Sequence, residues 1–201
     1  ESKKYSDNLA FPVWVGQAYI VLGEKIDEKY YIEAERSLSR ALEIAPQKQE
    51  VLFLLVRLYL LKQNFVKAIE FAQNAVDVSP DIGTSHWFFG LANVASGDRA
   101  LGLKSIEKAI ELGYSLTADQ KLYILDLYAL EKNYPKLIEE YKKMIEVNPE
   151  NVNWLIKLAA VYAESGDKKA ALETARQAVG FFPPLKAEAE KFIKQYKLLK
   201  K

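Results

Sequence analysis

The apolar residues of the chain recur at helical spacing. Leu52, Leu55, Val56 and Tyr59 form one stripe, and Ala68, Phe71, Ala72, Ala75 and Val76 form the next. Residues three and four apart share one face of an α-helix, so each stripe predicts an amphipathic helix. The break between them, Lys62-Gln63-Asn64, is short and polar. Other breaks read Ser96-Gly97-Asp98 and Ser165-Gly166-Asp167. Glycine there suits the end of a helix, and Asp suits the cap of the following one. The pattern predicts pairs of antiparallel helices, each of roughly a dozen residues.

These pairs repeat. Pro46 and Pro80 are 34 residues apart, as are Pro149 and Pro183. Pro80 and Pro149 are 69 apart, two units and one extra residue, and the missing proline slot falls at Tyr114 beside Gly113. Tyr59, Asn93, Tyr128 and Tyr162 keep the same beat. So do Ala34, Ala68, Gly102, Leu137 and Ala171, and also Ala41, Ala75, Ala109, Met144 and Ala178. A proline after the second helix halts it, because its ring forbids a continuing helix. Small residues at fixed slots let two helices approach closely. One such hairpin cannot bury its apolar face alone, so the units must stack.

Composition narrows what this array can do. The 201 residues are half apolar and 27 % charged, with 28 basic against 27 acidic side chains and a formal net charge of +1. That balance argues against a protein built to hold nucleic acid or an anionic membrane. Without cysteine there is no disulfide scaffold, thiolate metal site or thiol nucleophile, and one histidine, His86, cannot make a multi-histidine site. No apolar stretch reaches the ~18 residues that span a bilayer. The longest, Val51 to Leu61, is interrupted by Arg57. The first residues are polar and lack a signal core, and the start at Glu1 reads as an excised domain or processed product.

The repeat resembles the tetratricopeptide repeat, a 34-residue helix-turn-helix unit. Its signature is carried by Tyr19, Leu22, Gly23, Ala34, Ala41 and Pro46 in the first unit, and by Leu55, Tyr59, Ala68, Ala75 and Pro80 in the second. Phe89, Gly90 and Ala109 carry it in the third, and Leu158, Ala159, Tyr162, Ala171, Ala178 and Pro183 in the fifth. The fourth is degenerate, with Leu137 and Met144 in alanine slots, so its helices are expected to stand further apart; the first has one extra turn residue near 28–30. The resemblance implies an all-α, right-handed α-solenoid of five repeats, at 12–46, 47–80, 81–114, 115–149 and 150–183. A leader, 1–11, precedes them. A capping helix, 184–201, follows, its stripe of Leu185, Ala189, Phe192, Ile193 and Tyr196 turned inward and its lysines outward.

Catalytic patterns are scarce. There is no phosphate-binding or dinucleotide-binding glycine loop and no metal motif, and the chain is expected to need no cofactor. His86 lies among Trp87, Phe88 and Phe89 and reads as a packed or groove-edge residue, while Glu139 and Glu140 are neighbours on a solvated helix face. By resemblance, the first helices line a concave groove. Ile20, Phe53, Trp87, Leu122 and Ile156 would form one inward row, and Glu24, Arg57, Leu91, Asp126 and Ala160 a second. Gln17, Glu50, Thr84, Asp119 and Asn153 would flank them. The expected ligand-binding set is Ile20, Phe53, Arg57, Trp87, Leu91, Leu122, Asp126 and Ile156. Exposed aromatics in a concavity are usual anchors, although the same side chains can serve as packing. Some relatives clamp a chaperone carboxylate with Lys/Asn pairs and an Arg; the slots here hold Phe53, Arg57, Phe88, Asp119 and Tyr123, which do not restore that set.

The leading expectation is a non-catalytic scaffold that holds a protein or peptide with apolar anchors, without nucleic acid and without membrane insertion by this segment. A second reading makes it the soluble C-terminal repeat region of a multi-spanning bacterial membrane protein of the O-antigen ligase or polymerase type, with catalysis elsewhere. RNA binding would need basic residues at matching positions, and Arg57 stands alone in its row.

Overall fold

The computed structural model describes residues 9–196, and the lysine-rich end assigned to the outer face of the capping helix lies partly outside them. The described residues form helices and short connections, with no strand among them. In chain order the helices are α1 (Ala10–Lys25), α2 (Tyr30–Ile44), α3 (Gln49–Leu61), α4 (Phe65–Val78), α5 (Gly83–Ser96), α6 (Arg99–Glu111), α7 (Ala118–Leu130), α8 (Tyr134–Val147), α9 (Val152–Ser165) and α10 (Lys168–Phe181). A 3-10 turn at Pro183–Leu185 leads into α11 (Lys186–Gln195). Five helical hairpins and a terminal helix are the architecture the repeat implies. α1 starts at Ala10, so Ala10 and Phe11, assigned above to a leader, belong to its first turn, as does Pro12.

The connections obey local chemistry. Gly97 and Gly166 end α5 and α9 with φ of 101° and 91°, a left-handed backbone in which glycine has no Cβ to clash. In the equivalent positions after α3 and α7 stand Gln63 and Lys132, with φ of 54° and 52°. The next residue caps the following helix each time. Asn64, Asp98, Asn133 and Asp167 accept a bond from the backbone N–H three residues on, at 3.2, 3.0, 3.4 and 3.0 Å. Ala45, Ser79, Asn148 and Phe182, each just before a proline, are extended and stop α2, α4, α8 and α10. The third hairpin lacks that proline. There α6 ends at Gly113 (φ 85°), and the Tyr114 N–H closes back on the Ala109 carbonyl at 2.9 Å.

Two compact units result, residues up to Thr117 and residues from Ala118. In the first, each hairpin packs on the next: α2 lies on α3, α4 on α5, and the first helices touch one another. Its core runs through Ile20, Leu38, Val51, Leu55, Val56 and Leu58. The repeat alanines, Ala34, Ala41, Ala68, Ala75 and Ala109, are buried at the crossings. In the second unit α7 pairs with α8 and α9 with α10, α8 lies on α9, and α11 rests on α10. Ala171 and Ala178 are buried there, while Leu137 fills the alanine slot of the fourth hairpin.

Candidate functional site

The first unit presents the first helices α1, α3 and α5 side by side, and the expected inward rows divide between core and surface. Ile20 has no exposed surface and is a core residue rather than an anchor. It sits on the α1 face that carries Pro12, Val13, Gly16 and Gly23, all buried. A Cβ on Gly16 would lie 2.6 Å from Leu38 Cγ, and one on Gly23 2.1 Å from a Tyr31 ring carbon. These two glycines let α1 settle onto α2 and enclose Ile20. Trp87 is likewise only 4 % exposed. Its ring stacks on Tyr114, 4.9 Å between centroids and 11° between planes, so it closes the core of the third hairpin and is not an open anchor.

What remains on the surface forms a mixed patch. Phe53 is half-buried and stacks on Phe88 at 5.0 Å and 16°. Leu91 is half-buried as well. Arg57 is engaged: its Nη2 donates to both Glu24 carboxylate oxygens, at 2.9 and 2.7 Å, across α1 and α3. Gln17 and Glu50 are exposed and line a shallow groove of about 440 Å³ with Leu9, Val13, Trp14 and Lys48. Trp14, 67 % exposed, is the aromatic that the sequence reading missed. The 34-residue register places it before the first expected groove position. Its helical spacing from Phe11, Ala18 and Val21 was the available signal.

In the second unit Leu122 and Asp126 are exposed on α7, and Leu122 keeps 47 % of its surface. Ile156 on α9 is exposed too, but it lines a small apolar cavity of about 90 Å³ with Ala159, Ala175 and Val179 on one side and Leu185, Ala189 and Phe192 on the other. It therefore faces the terminal helix. Among the flanking positions Asp119 and Asn153 are exposed, and Thr84 and Ala160 half-buried.

The polar groups pair with one another and with the backbone. His86 Nε2 donates to the Pro80 carbonyl at 2.8 Å, which suits an edge residue. Glu35 on α2 accepts from the Tyr59 hydroxyl at 2.8 Å and pairs with Lys62 and Lys67. Burial pushes the Glu35 carboxyl up, but the bonds from Lys62 and Tyr59 outweigh it and hold it below the usual glutamate range. Burial and the Glu35 bond push the Tyr59 hydroxyl up. Among the described residues no three His, Asp or Glu side chains converge on a metal position, and no helix is long and apolar enough to cross a membrane.

Residues 25–85 match the tetratricopeptide repeat family. No curated protein matches the sequence. Among solved structures, MamA is 21 % identical over 93 % of this chain and 98 % of its own, with a TM-score of 0.59. YrrB, described as a tetratricopeptide protein with an unusual peptide-binding site, is 15 % identical over 96 % and 95 %, with a TM-score of 0.64. A thermophilic tetratricopeptide protein of Thermus thermophilus is 21 % identical over 96 % and 100 %, with a TM-score of 0.54. At these identities the likeness establishes the fold. Together with the match over residues 25–85, it supports a tetratricopeptide repeat array for this chain.

Proposed function

We propose that the protein is a non-catalytic interaction scaffold that takes a peptide or partner protein along the first-helix surface of its first unit. The observation that carries this reading is the half-open Phe53–Phe88 stack, continued by Leu91 and flanked by the Glu24–Arg57 ion pair and the groove beneath Trp14. A rigid aromatic pair offers a large apolar contact at small entropic cost, and polar neighbours fix the orientation of what lands on it. Glu24 and Arg57 neutralise each other, so the preferred ligand carries an apolar or aromatic anchor rather than a clustered charge. The peptide-binding relative of the same fold supports this reading. On the second unit by itself, Leu122, Asp126 and Ile156 are proposed as contacts of a separate surface.

Peptides selected by display against the intact chain test it. Their affinity is expected to fall at least tenfold for Phe53→Glu and to stay unchanged for Val147→Glu, an exposed position on α8. Equal affinity for both variants and the parent would overturn the assignment.

A further inference from the structure

Phe53 and Arg57 stand four residues apart on α3 and so share one helix face, beside the Phe53–Phe88 stack. Glu24 reaches Arg57 from α1, and the pairing is lopsided. Nη2 alone donates to both Glu24 oxygens, at 2.9 and 2.7 Å. A guanidinium also carries N–H groups on Nη1 and Nε, and among the described residues no acceptor meets these. The pair is reachable from solvent, because Arg57 keeps 41 % and Glu24 25 % of its side-chain surface. Its charges cancel, and so do those of Lys48 and Glu50 in the groove beneath Trp14. The surface therefore combines unspent N–H donors with balanced charge, beside an aromatic platform.

We propose that Glu24 determines what this surface accepts beside its apolar anchor: a peptide with an uncharged acceptor there, a backbone carbonyl or a side-chain amide, in preference to one with a carboxylate. The subsite adjoins Phe53, so the assignment rests on the groove reading. A carbonyl can accept from Nη1 or Nε while Nη2 stays on Glu24, and it brings no charge with it. A carboxylate in the same place is drawn to Arg57 but repelled by Glu24, only one guanidinium away. It must also shed more tightly held water than a carbonyl, and the balanced pair does not offset that penalty. Glu24 thus acts through Arg57, by keeping occupied a charge that would otherwise select acidic partners. Removing either member of the pair tips the preference, in opposite directions.

The probe is a display-selected peptide that loses affinity for Phe53→Glu, synthesised with Gln or with Glu at each position flanking its anchor. Fluorescence anisotropy gives the affinities. The parent chain is expected to bind every Gln form at least as tightly as the matching Glu form. In Glu24→Gln, one Glu form is expected to bind about fivefold more tightly than its Gln counterpart, and salt at about 0.5 M is expected to shrink that gain. Arg57→Gln is expected to shift the same pair about fivefold the other way, towards Gln. Helical circular dichroism checks that the variants fold, and each variant is decisive by itself. A parent that prefers a Glu form overturns the assignment, and so does a folded variant whose Glu-to-Gln ratios equal the parent's at every position. If every selected peptide binds Phe53→Glu as tightly as the parent, the groove reading itself falls, and the subsite with it.

Discussion

The third and fourth hairpins keep the same repeat beat but close by different means. In the third, backbone meets backbone. A Cβ on Gly90 would lie 2.8 Å from the Gly102 carbonyl oxygen and 2.6 Å from Ile106 Cγ1, and one on Gly102 would lie 2.4 Å from Val94 Cγ2. α6 accordingly buries Gly102, Leu103, Ser105, Ile106 and Ala109. In the fourth, the corresponding slots hold Leu125 and Leu137, both buried, and α8 buries only Leu137 and Tyr141. Side chains act as spacers where glycines allowed contact. The repeat therefore constrains which positions meet and leaves open how far apart their backbones stand.

Exchanging residues between the two hairpins probes that difference, and the largest effect is expected at the inward aromatic slot. Trp87→Ala removes the ring stacked on Tyr114 and is expected to cost about 3–5 kcal/mol. Leu122→Ala at the equivalent exposed slot is expected to cost less than about 1 kcal/mol. Urea unfolding of each variant measures both, and comparable losses would show that the two slots are equally enclosed. Next come the crossings. Gly102→Leu drives a side chain into the Gly90 carbonyl, which cannot rotate away, at an expected cost of about 3 kcal/mol. Leu137→Ala opens a void in the fourth hairpin and is expected to cost about 2–4 kcal/mol. A tolerated Gly102→Leu would mean that the third hairpin can widen to the spacing of the fourth.

The turns give a smaller contrast. Lys132 and Gln63 hold a left-handed backbone with a Cβ, so glycine at either position is expected to raise stability by about 0.5–1 kcal/mol. Gly97→Ala in the third hairpin is expected to lower it by a similar amount, about 1 kcal/mol. The thermal midpoint reports both signs. The smallest expected effect separates a partly enclosed carboxylate from the exposed ones of α8. Glu35 has a lower pKa folded than unfolded, so its stabilisation is complete above its ordinary value of 4.5 and is lost as pH falls through the lowered folded value. Glu35→Gln is expected to flatten the acid limb of stability against pH. Glu139→Gln, beside the solvent-facing Lys143, is expected to leave the unfolding midpoint at neutral pH unchanged in moderate salt.

The hairpins, their turns and their alanine crossings were legible because local chemistry decides them. A proline halts a helix, and an Asn or Asp caps one, whatever lies across the fold. Burial at the candidate surface was not legible in the same way. Trp87 and Leu122 occupy one slot of the repeat, yet one is enclosed and the other open. Tyr114, which takes the missing proline position, returns to stack on Trp87. Ile20 was placed on an open row because the repeat register aligns it with Phe53 and Trp87. Gly23 and Gly16 together draw α1 down onto α2 and close over it. Trp14 was overlooked for a different reason: it lies before the first position that the repeat register assigns to the groove, so the register gave it no slot.

The terminal helix has a consequence for how the second unit opens. α11 buries none of its residues completely, and an apolar void separates Leu185, Ala189 and Phe192 from Ile156 and Val179. Detaching it uncovers little surface, so its amides are expected to exchange with solvent before those of α9 and α10, and proteases are expected to cut within α11 before they cut those helices. Ile156 and Val179 at the mouth of the cavity would then meet solvent while the two helices of the last hairpin remain folded.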